Sequence, residues 1–272
     1  MLKNTFKIFK REIKPEKIFS LQTASVTHKG KIRERNEDNY FVDGFFLEKE
    51  HGNDEAVRTL TSNLNELSAA AVFDGMGGES AGDLASYTAV KIFSELYAVL
   101  NKNRLPNEKT VEELLCSVSN AVFAAAKEHK YRLIGSTVSM LMFNGEEGLL
   151  VDLGDSPVYQ YRERKLEKIN YEHTNAVLLK EQGIQRKPAL TQFLGIDTEE
   201  FIIEPYIQKI ILQKGDVYLI CSDGLTDMVE EKRIAEILGS DTDIKRKCEK
   251  LRDEALENGG VDNVTVILTQ VM

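Results

Sequence analysis

Acidic residues stand beside apolar runs at several distant points of this 272-residue chain. An apolar run at residues 69–73 ends on Asp74, and three glycines follow within four positions. A second apolar run ends on Asp223, and Asp262 stands shortly before the last one. A desolvated carboxylate without a partner is very costly, so an acid at the end of a buried strand indicates that something neutralises its charge. We interpret Asp74 as a metal ligand, with the glycines allowing a close backbone approach.

A further pair of acids, Glu37 and Asp38, lies in a polar run at residues 30–38, directly before a strand-like segment at 39–42. In an extended strand, neighbouring side chains point to opposite faces. One of the two acids could therefore bind a metal directly, while the other reaches it only through a water molecule or a bend.

Carboxylates gathered from these positions would form a ligand set made of oxygen atoms, and the four histidines show no metal-ligand spacing. Oxygen ligands select hard cations, magnesium or manganese, over zinc or copper. Two such ions can share a bridging carboxylate, activate a water molecule and bind a phosphoryl oxygen. No serine, cysteine or histidine nucleophile stands in a comparable setting, so direct attack by the activated water is the most economical mechanism.

The elements that must position these acids are short apolar strands and amphipathic helices. Strands are predicted at residues 21–27, 39–42, 69–73, 135–143, 148–153, 158–161, 201–203, 207–212, 217–222 and 264–268. Helices are predicted at residues 84–100, 111–131, 178–182, 234–238 and 244–256. Asn144-Gly145 is typical of a hairpin turn. The polar residues 48–66 are interpreted as a surface connection, and Asp155 as a structural turn residue.

The composition indicates an ordinary globular protein, with 42% hydrophobic and 29% charged residues. A net charge of -9 argues against a nucleic-acid-binding surface, which requires a basic face. The chain contains no apolar run of membrane-spanning length and no secretory signal. Three widely spaced cysteines suggest reduced thiols, and we therefore predict a cytoplasmic location.

Residues 1–20 differ from the rest, because six basic and two acidic residues give them a charge of +4. Helical spacing of apolar residues makes a basic amphipathic helix possible; they are Leu2, Phe6, Phe9 and Ile13. Such a helix could contact a membrane surface or a partner. Packing on its own domain, or a frayed end, is the favoured interpretation, because Pro15 and the short length leave little anchoring area.

A series of spaced motifs resembles the protein phosphatase 2C family over residues 21–272, and so many motifs in order make coincidence very improbable. The motifs are Arg33-x-x-Asn36-Glu37-Asp38, Asp74-Gly75-Met76-Gly77-Gly78, Gly135-Ser136-Thr137, Gly154-Asp155-Ser156, Leu190-Thr191-Gln192-Phe193-Leu194-Gly195, Ser222-Asp223-Gly224-Leu225 and Asp262-Asn263-x-Thr265.

This resemblance implies an α+β fold, a four-layer α-β-β-α sandwich in which two packed antiparallel sheets are flanked by helices. It divides the chain into a basic N-terminal segment, residues 1–20, and a catalytic domain, residues 21–272. The implied activity is that of a metal-dependent protein serine/threonine phosphatase, with a water activated between two manganese or magnesium ions at one end of the sandwich.

The resemblance also implies a set of metal ligands. By position, Asp74 bridges both ions, and Asp223 and Asp262 complete one of them. Glu37 and the backbone carbonyl of Gly75 bind the other.

Two further residues receive roles from the same resemblance. Asp38 supports a metal-bound water and so belongs to both the catalytic and the metal-binding sets. Arg33 receives the substrate phosphate, because its planar guanidinium matches two phosphate oxygens. The alternative for Arg33 is a surface ion pair with Glu34 or Glu37.

The chain departs from the family pattern in three places. Met76 stands where many members have a histidine proposed to protonate the leaving group, and water on a metal is expected to serve instead. Arg132 stands where bacterial members commonly have an aspartate of a third metal site, so we expect that site to be weak or absent. The stretch 173–190 is shorter than the usual flap beside the active site, which would change substrate selection.

An active phosphatase would act on phosphorylated proteins, with a Ser/Thr kinase or its substrates as partners. The alternative is a catalytically silent phosphoprotein-binding or sensor module of the same fold. The presence of Asp74, Asp223 and Asp262 favours the active enzyme. A metal-dependent nuclease is disfavoured by the acidic surface.

Overall fold

The computed structural model describes residues 19–54, 56–77 and 81–272. The predicted N-terminal segment lies outside the described residues except at its end, and its separation from the catalytic domain stays a prediction.

Twelve strands are formed by the described residues: β1 Ser20–His28, β2 Asp38–Val42, β3 Arg58–Asn63, β4 Ser68–Gly77, β5 Ile134–Ser136, β6 Val138–Asn144, β7 Glu147–Leu153, β8 Val158–Arg162, β9 Lys165–Lys168, β10 Tyr206–Ile211, β11 Val217–Cys221 and β12 Val264–Val271. Six helices are formed by the same residues: α1 Gly82–Val99, α2 Glu108–Glu128, α3 Ala176–Glu181, α4 Asp223–Thr226, α5 Glu231–Leu238 and α6 Ile244–Glu257.

The strands form two sheets in which neighbouring strands are antiparallel. The first sheet has the order β3-β1-β12-β11-β8-β9, and the second has the order β10-β7-β6-β4-β2, with β5 paired to the end of β4. Within the described residues, none of the helices is both long and apolar enough to cross a bilayer.

Alternating side chains of the strands divide the interior into three apolar layers. Tyr40 and Val72 point between the two sheets, where Ile220 and Ile267 meet them from the first sheet. The residues that follow them, Phe41 in β2 and Phe73 in β4, point to the outer face of the second sheet, which α1 and α2 cover. Helices α5 and α6 cover the outer face of the first sheet. This is the four-layer α-β-β-α arrangement that was predicted.

Most predicted elements are confirmed with small shifts at their ends. The Asn144-Gly145 hairpin joins β6 to β7, and Gly145 has the positive φ of 61° that such a turn requires. The predicted strand at 201–203 is wrong, because Phe201 and Ile202 are exposed and the chain becomes a strand only at Tyr206. Conversely, β3 lies within the supposed surface connection. It is an edge strand with mostly exposed polar residues, and such a strand shows no apolar alternation.

The strand register brings the predicted acids to one rim of the sandwich. Asp38, at the start of β2, pairs directly with Asp74 near the end of β4. In the other sheet β11 ends two residues before Asp223, and β12 begins two residues after Asp262. The two packed sheets therefore deliver acids from distant parts of the sequence to the same end.

Candidate active site and metal centre

A cavity of about 420 Å³ opens at this rim. All predicted site residues except Asp38 line it; they are Arg33, Glu37, Asp74, Gly75, Asp223 and Asp262. The structure thus brings together residues that are up to 229 positions apart in the sequence.

Asp38 is buried directly behind the cavity rather than in its wall. Its Oδ2 accepts hydrogen bonds from the hydroxyl groups of Ser222, at 2.7 Å, and Thr265, at 2.6 Å. Burial raises the pKa of Asp38 to about 7, although both hydroxyl donors act in the opposite direction. Asp38 is therefore a carboxyl group that can take up or release a proton near neutral pH.

Asp74 lies opposite Asp38 and faces other acids. Burial, followed by the charges of Asp38, Asp223 and Asp155, raises the pKa of Asp74 well above its usual range. Its own backbone N–H donates to Thr137 Oγ1 at 3.1 Å, which fixes the end of β4 against the neighbouring loop. A metal cation bound from solution would stabilise the charged form of a carboxylate in this setting.

Glu37 is held by the first residue of α1. The N–H of Gly82 donates to Glu37 Oε1 at 3.0 Å, which places an anion at a helix N-terminus, where the helix dipole favours it. Burial nevertheless raises the pKa of Glu37. Arg33 lies between the acids of the two sheets, with its guanidinium 2.7 Å from Asp262 and 3.9 Å from Glu37.

The turn that carries Asp262 is tied to the loop that carries Arg33 through the next residue, Asn263. Its side-chain amide donates to the carbonyl oxygens of Lys29 and Arg35, both at 2.9 Å, and its Oδ1 accepts from the N–H of Glu37 at 2.8 Å. One buried amide therefore fixes the position of both loops.

Position 75 has no room for a side chain, so it requires glycine. A Cβ atom at this position would lie 2.1 Å from the carbonyl oxygen of Gly82 and 2.5 Å from that of Glu37. The end of β4, the start of β2 and the start of α1 are thus packed backbone to backbone at the cavity.

Lys187, which the sequence analysis did not single out, also lines the cavity. Its Nζ lies 2.8 Å from Asp223 Oδ2 and 3.7 Å from Asp227 Oδ2. The lysine stands in an irregular loop 36 residues before Asp223, and no pattern in the sequence marks it.

The cavity wall is suited to divalent cations bound through oxygen. Among the described residues, no three histidine, cysteine or acidic side chains are already closed around one point. Instead the guanidinium of Arg33 and the ammonium of Lys187 lie among the carboxylates. Neighbouring carboxylates help to raise the pKa values of Asp74 and Asp155, and such a group of oxygen ligands fits the chemistry of magnesium or manganese.

Comparison with known proteins agrees with this geometry. A family model described as protein phosphatase 2C matches residues 48–258, more than three quarters of the chain. This chain belongs to the protein phosphatase 2C family. The predicted family, and the prediction that the chain is a protein phosphatase, are confirmed.

This family member is similar in sequence to several bacterial serine/threonine phosphatases. It is 29% identical over 259 residues to the serine/threonine phosphatase stp of Listeria monocytogenes, covering 90% of this chain and 93% of that protein. It is 27% identical over 266 residues to the serine/threonine protein phosphatase PstP of Mycobacterium tuberculosis, covering 93% of this chain but only 45% of PstP.

Solved structures confirm the predicted fold. The catalytic domain of PstP in complex with two manganese ions superposes with a TM-score of 0.72 at 27% identity, covering 93% of this chain and 99% of that one. A serine/threonine phosphatase of S. agalactiae gives a TM-score of 0.76 at 22% identity, which supports the fold alone.

Two of the three places where this protein phosphatase 2C member departs from the family pattern contribute to the cavity wall, namely Met76 and the stretch 173–190. Arg132 is exposed and is not part of the wall, and the weak or absent third metal site stays a prediction. Asp155 is also in the wall, and burial together with the charge of Asp223 raises its pKa to about 6. The structure therefore places Asp155 among the acids of the site, although local turn chemistry suggested a structural role. Its position at the end of an apolar run is the signal that could have identified it.

Proposed function

We propose that this protein phosphatase hydrolyses phosphoserine and phosphothreonine in proteins, using two manganese or magnesium ions held at the rim of the sandwich. The observation that carries the proposal is the convergence of Glu37, Asp74, Asp223 and Asp262 with Arg33 in one cavity. The names of the Listeria and Mycobacterium relatives, and the two manganese ions of the PstP catalytic domain, support the same activity.

In this proposal Asp74 would contribute to holding both ions. Asp223 and Asp262 would hold one ion, while Glu37 and the carbonyl group of Gly75 would hold the other. When bound, such a pair of ions lowers the pKa of water and draws charge from a phosphoryl oxygen. The raised pKa values of Glu37 and Asp74 mean that these acids bind a cation in competition with protons.

Arg33 binds the phosphate group of the substrate. Its side chain is 47% exposed, so the guanidinium can pair with Asp262 on one side and keep donors free for an incoming phosphate. Two parallel N–H donors match two phosphate oxygens, which fixes the orientation of the group as well as its position. The alternative interpretation, an ion pair with Glu34 or Glu37, is met only by the 3.9 Å contact with Glu37, and the closer pairing with Asp262 serves to aim the guanidinium.

Asp38 would support a water molecule at the metal site from behind the cavity. Its two hydroxyl donors fix the orientation of the carboxyl group. Met76 has no proton to give, so protonation of the leaving group depends on water or on an acid other than this side chain.

Hydrolysis of a phosphothreonine peptide tests the proposal. We expect turnover with Mn²⁺ or Mg²⁺, no turnover after chelation, and a loss of at least about 1000-fold in kcat/KM for Asp74→Asn. The matched control is Asp241→Asn, which removes an exposed carboxylate outside the cavity and is expected to keep full activity. If the purified protein binds the phosphopeptide but does not turn it over with either metal, the silent binding module is correct instead.

Phosphorylated proteins are the proposed substrates, and a Ser/Thr kinase that acts on the same proteins is the proposed functional partner. The acidic chain gives a substrate little general electrostatic attraction, so recognition has to come from the phosphate site and the residues around it. The cytoplasmic location stays a prediction.

A further inference from the structure

Lys187 belongs to a loop that is closed at its base. The segment 173–191 begins and ends at adjacent points, because Thr174 and Leu190 form a β-bridge and the N–H of Thr191 donates to the carbonyl oxygen of His173 at 2.8 Å. His173 is in turn bound to the turn that follows β7, since its N–H donates to the carbonyl oxygen of Gly154 at 2.7 Å. The loop is therefore anchored to the sandwich, and Lys187 projects from it into the cavity.

The ammonium group of Lys187 is directed at one proposed metal ligand. Its Nζ lies 2.8 Å from Asp223 Oδ2, which is a hydrogen-bonding distance, and 3.7 Å from Asp227 Oδ2. The side chain of Lys187 is 64% exposed and that of Asp223 is 21% exposed. The lysine therefore reaches the acid from the solvent side rather than from the core.

A divalent ion that takes Oδ2 of Asp223 competes with this ammonium group for the same oxygen atom. A carboxylate oxygen binds such an ion at about 2.0–2.6 Å. An ammonium group donating to the same oxygen would bring two cations close together, where like charges repel strongly. The lysine is the cation that can move away, because its side chain is 64% exposed and lies on an irregular loop.

We propose that Lys187 is a tethered cation that competes with the divalent ion for Asp223, so that metal binding displaces Lys187 and loosens the loop 173–191 from the rim. The inference rests on the proposed metal site. Because linkage is reciprocal, whatever holds the loop against Asp223 weakens metal binding, and whatever draws the loop away strengthens it. Asp227, with its weaker contact, keeps the lysine close to the site after displacement.

The first experiment measures the Mn²⁺ dissociation constant of the chelator-treated full chain by calorimetry. Lys187→Met keeps the apolar stem and removes the charge. We expect it to bind Mn²⁺ about three- to ten-fold more tightly than the unmodified protein, a modest factor because the ion pair is partly exposed. Lys187→Arg keeps the charge and is expected to stay within two-fold of the unmodified protein.

Lys180→Met is the matched control. Lys180 is an exposed lysine of α3 in the same loop and does not line the cavity, so its removal changes the net charge equally. We expect no change in Mn²⁺ affinity beyond two-fold. Equal tightening in Lys180→Met and Lys187→Met would mean that general charge, not competition at Asp223, controls the affinity, and would overturn the proposal.

The second experiment uses the unmodified protein and needs no substitution. Acetylation of lysine amines by an activated ester is followed by mass spectrometry with and without Mn²⁺. Displacement from Asp223 is expected to raise the rate at Lys187 several-fold, while the rate at Lys180 stays constant. An unchanged rate at Lys187 would show that the ammonium stays in place and would contradict the proposal.

The outcomes separate this inference from the function on which it rests. If the unmodified protein binds no Mn²⁺ at all, the proposed metal centre fails and the competition fails with it. If the unmodified protein binds Mn²⁺ and Lys187→Met binds it equally or more weakly, only the role of Lys187 is wrong.

Discussion

The paired strands β2 and β4 carry acidic residues at both ends, and the two ends differ. At one end Asp38 pairs with Asp74 at the rim. At the other end Val42 pairs with Ala70, and Asp43 follows Val42 immediately. One end of this strand pair therefore holds an acid whose hydrogen bonds are made by the protein, and the other end holds two acids that face one another.

Asp43 is surrounded by donors from the protein itself. Its carboxylate accepts hydrogen bonds from the hydroxyls of Ser62, Ser68 and Tyr97 and from the N–H of Ala69. The residue adopts a left-handed conformation, with φ of 46°, that aims the side chain back at these groups. A carboxylate with four donors is fully bound within the protein and closes the end of the sheet.

At the rim, by contrast, the charges that act most strongly on Asp74 are those of other acids. The pKa of Asp74 is raised by burial and by the carboxylates of Asp38, Asp223 and Asp155. The comparison teaches that a cluster of acids is a candidate site when the protein leaves its charge uncompensated, and a structural element when donors surround it.

The largest expected effect sharpens the comparison at the rim. Gly75→Ala would place a Cβ against two carbonyl oxygens, so we expect a loss of about 3 kcal/mol in the free energy of unfolding. Activity should fall as well, because the same contact sets the spacing of Glu37 and Asp74. Urea denaturation and phosphopeptide hydrolysis measure the two effects. Gly52→Ala is the control, since nothing lies within 4 Å of its Cβ; a stable, active Gly75→Ala variant would refute the tight packing.

The next effect concerns the opposite end of the strands. Asp43→Ala removes four hydrogen bonds, one of which comes from a backbone N–H, and should lower the free energy of unfolding by about 2–3 kcal/mol. Mn²⁺ affinity and kcat/KM of the folded protein should stay within two-fold, because Asp43 is remote from the cavity wall. A large loss of metal affinity in this variant would break the distinction between the two ends.

The smallest effect is a pH dependence of metal-induced stabilisation. The raised pKa values of Asp38, about 7, and Asp155, about 6, mean that the folded rim binds more protons than the unfolded chain between about pH 4 and pH 7. Without metal, the contribution of these groups to stability therefore falls as pH rises through that window. Mn²⁺ competes with the protons, so its effect on Tm should be larger at pH 8 than at pH 5.5.

Calorimetric scans at the two pH values, with Mn²⁺ and with chelator, measure this difference. Asp74→Asn should reduce it, whereas Asp43→Asn should leave it unchanged. An equal Tm shift at both pH values would mean that protons and metal do not share the rim acids.

The chemistry at strand ends could be predicted from sequence because the signal is local. An acid directly after a buried run, as at Asp74 and Asp223, is visible without knowledge of the fold. Glu37 and Asp262 joined them because they stand just before predicted strands, the resemblance then gave each acid a role, and the structure gathers all four at one rim. That they bind metal stays a prediction.

The remaining features depend on tertiary contacts that have no local signature. Lys187 meets Asp223 across 36 residues, and the loop around it shows no periodicity. The edge strand β3 is exposed and polar, so its backbone pairing with β1 leaves no apolar pattern in the sequence. Asp43 resembles an ordinary turn residue until its four donors are seen together.

Anomalous diffraction from crystals grown with Mn²⁺ tests the central claim most directly. The acids gathered at the rim predict two manganese peaks in the cavity, with Asp74 between them and Asp223, Asp262 and Glu37 around them. A rim without manganese, or a peak at Asp43 instead, would contradict the account.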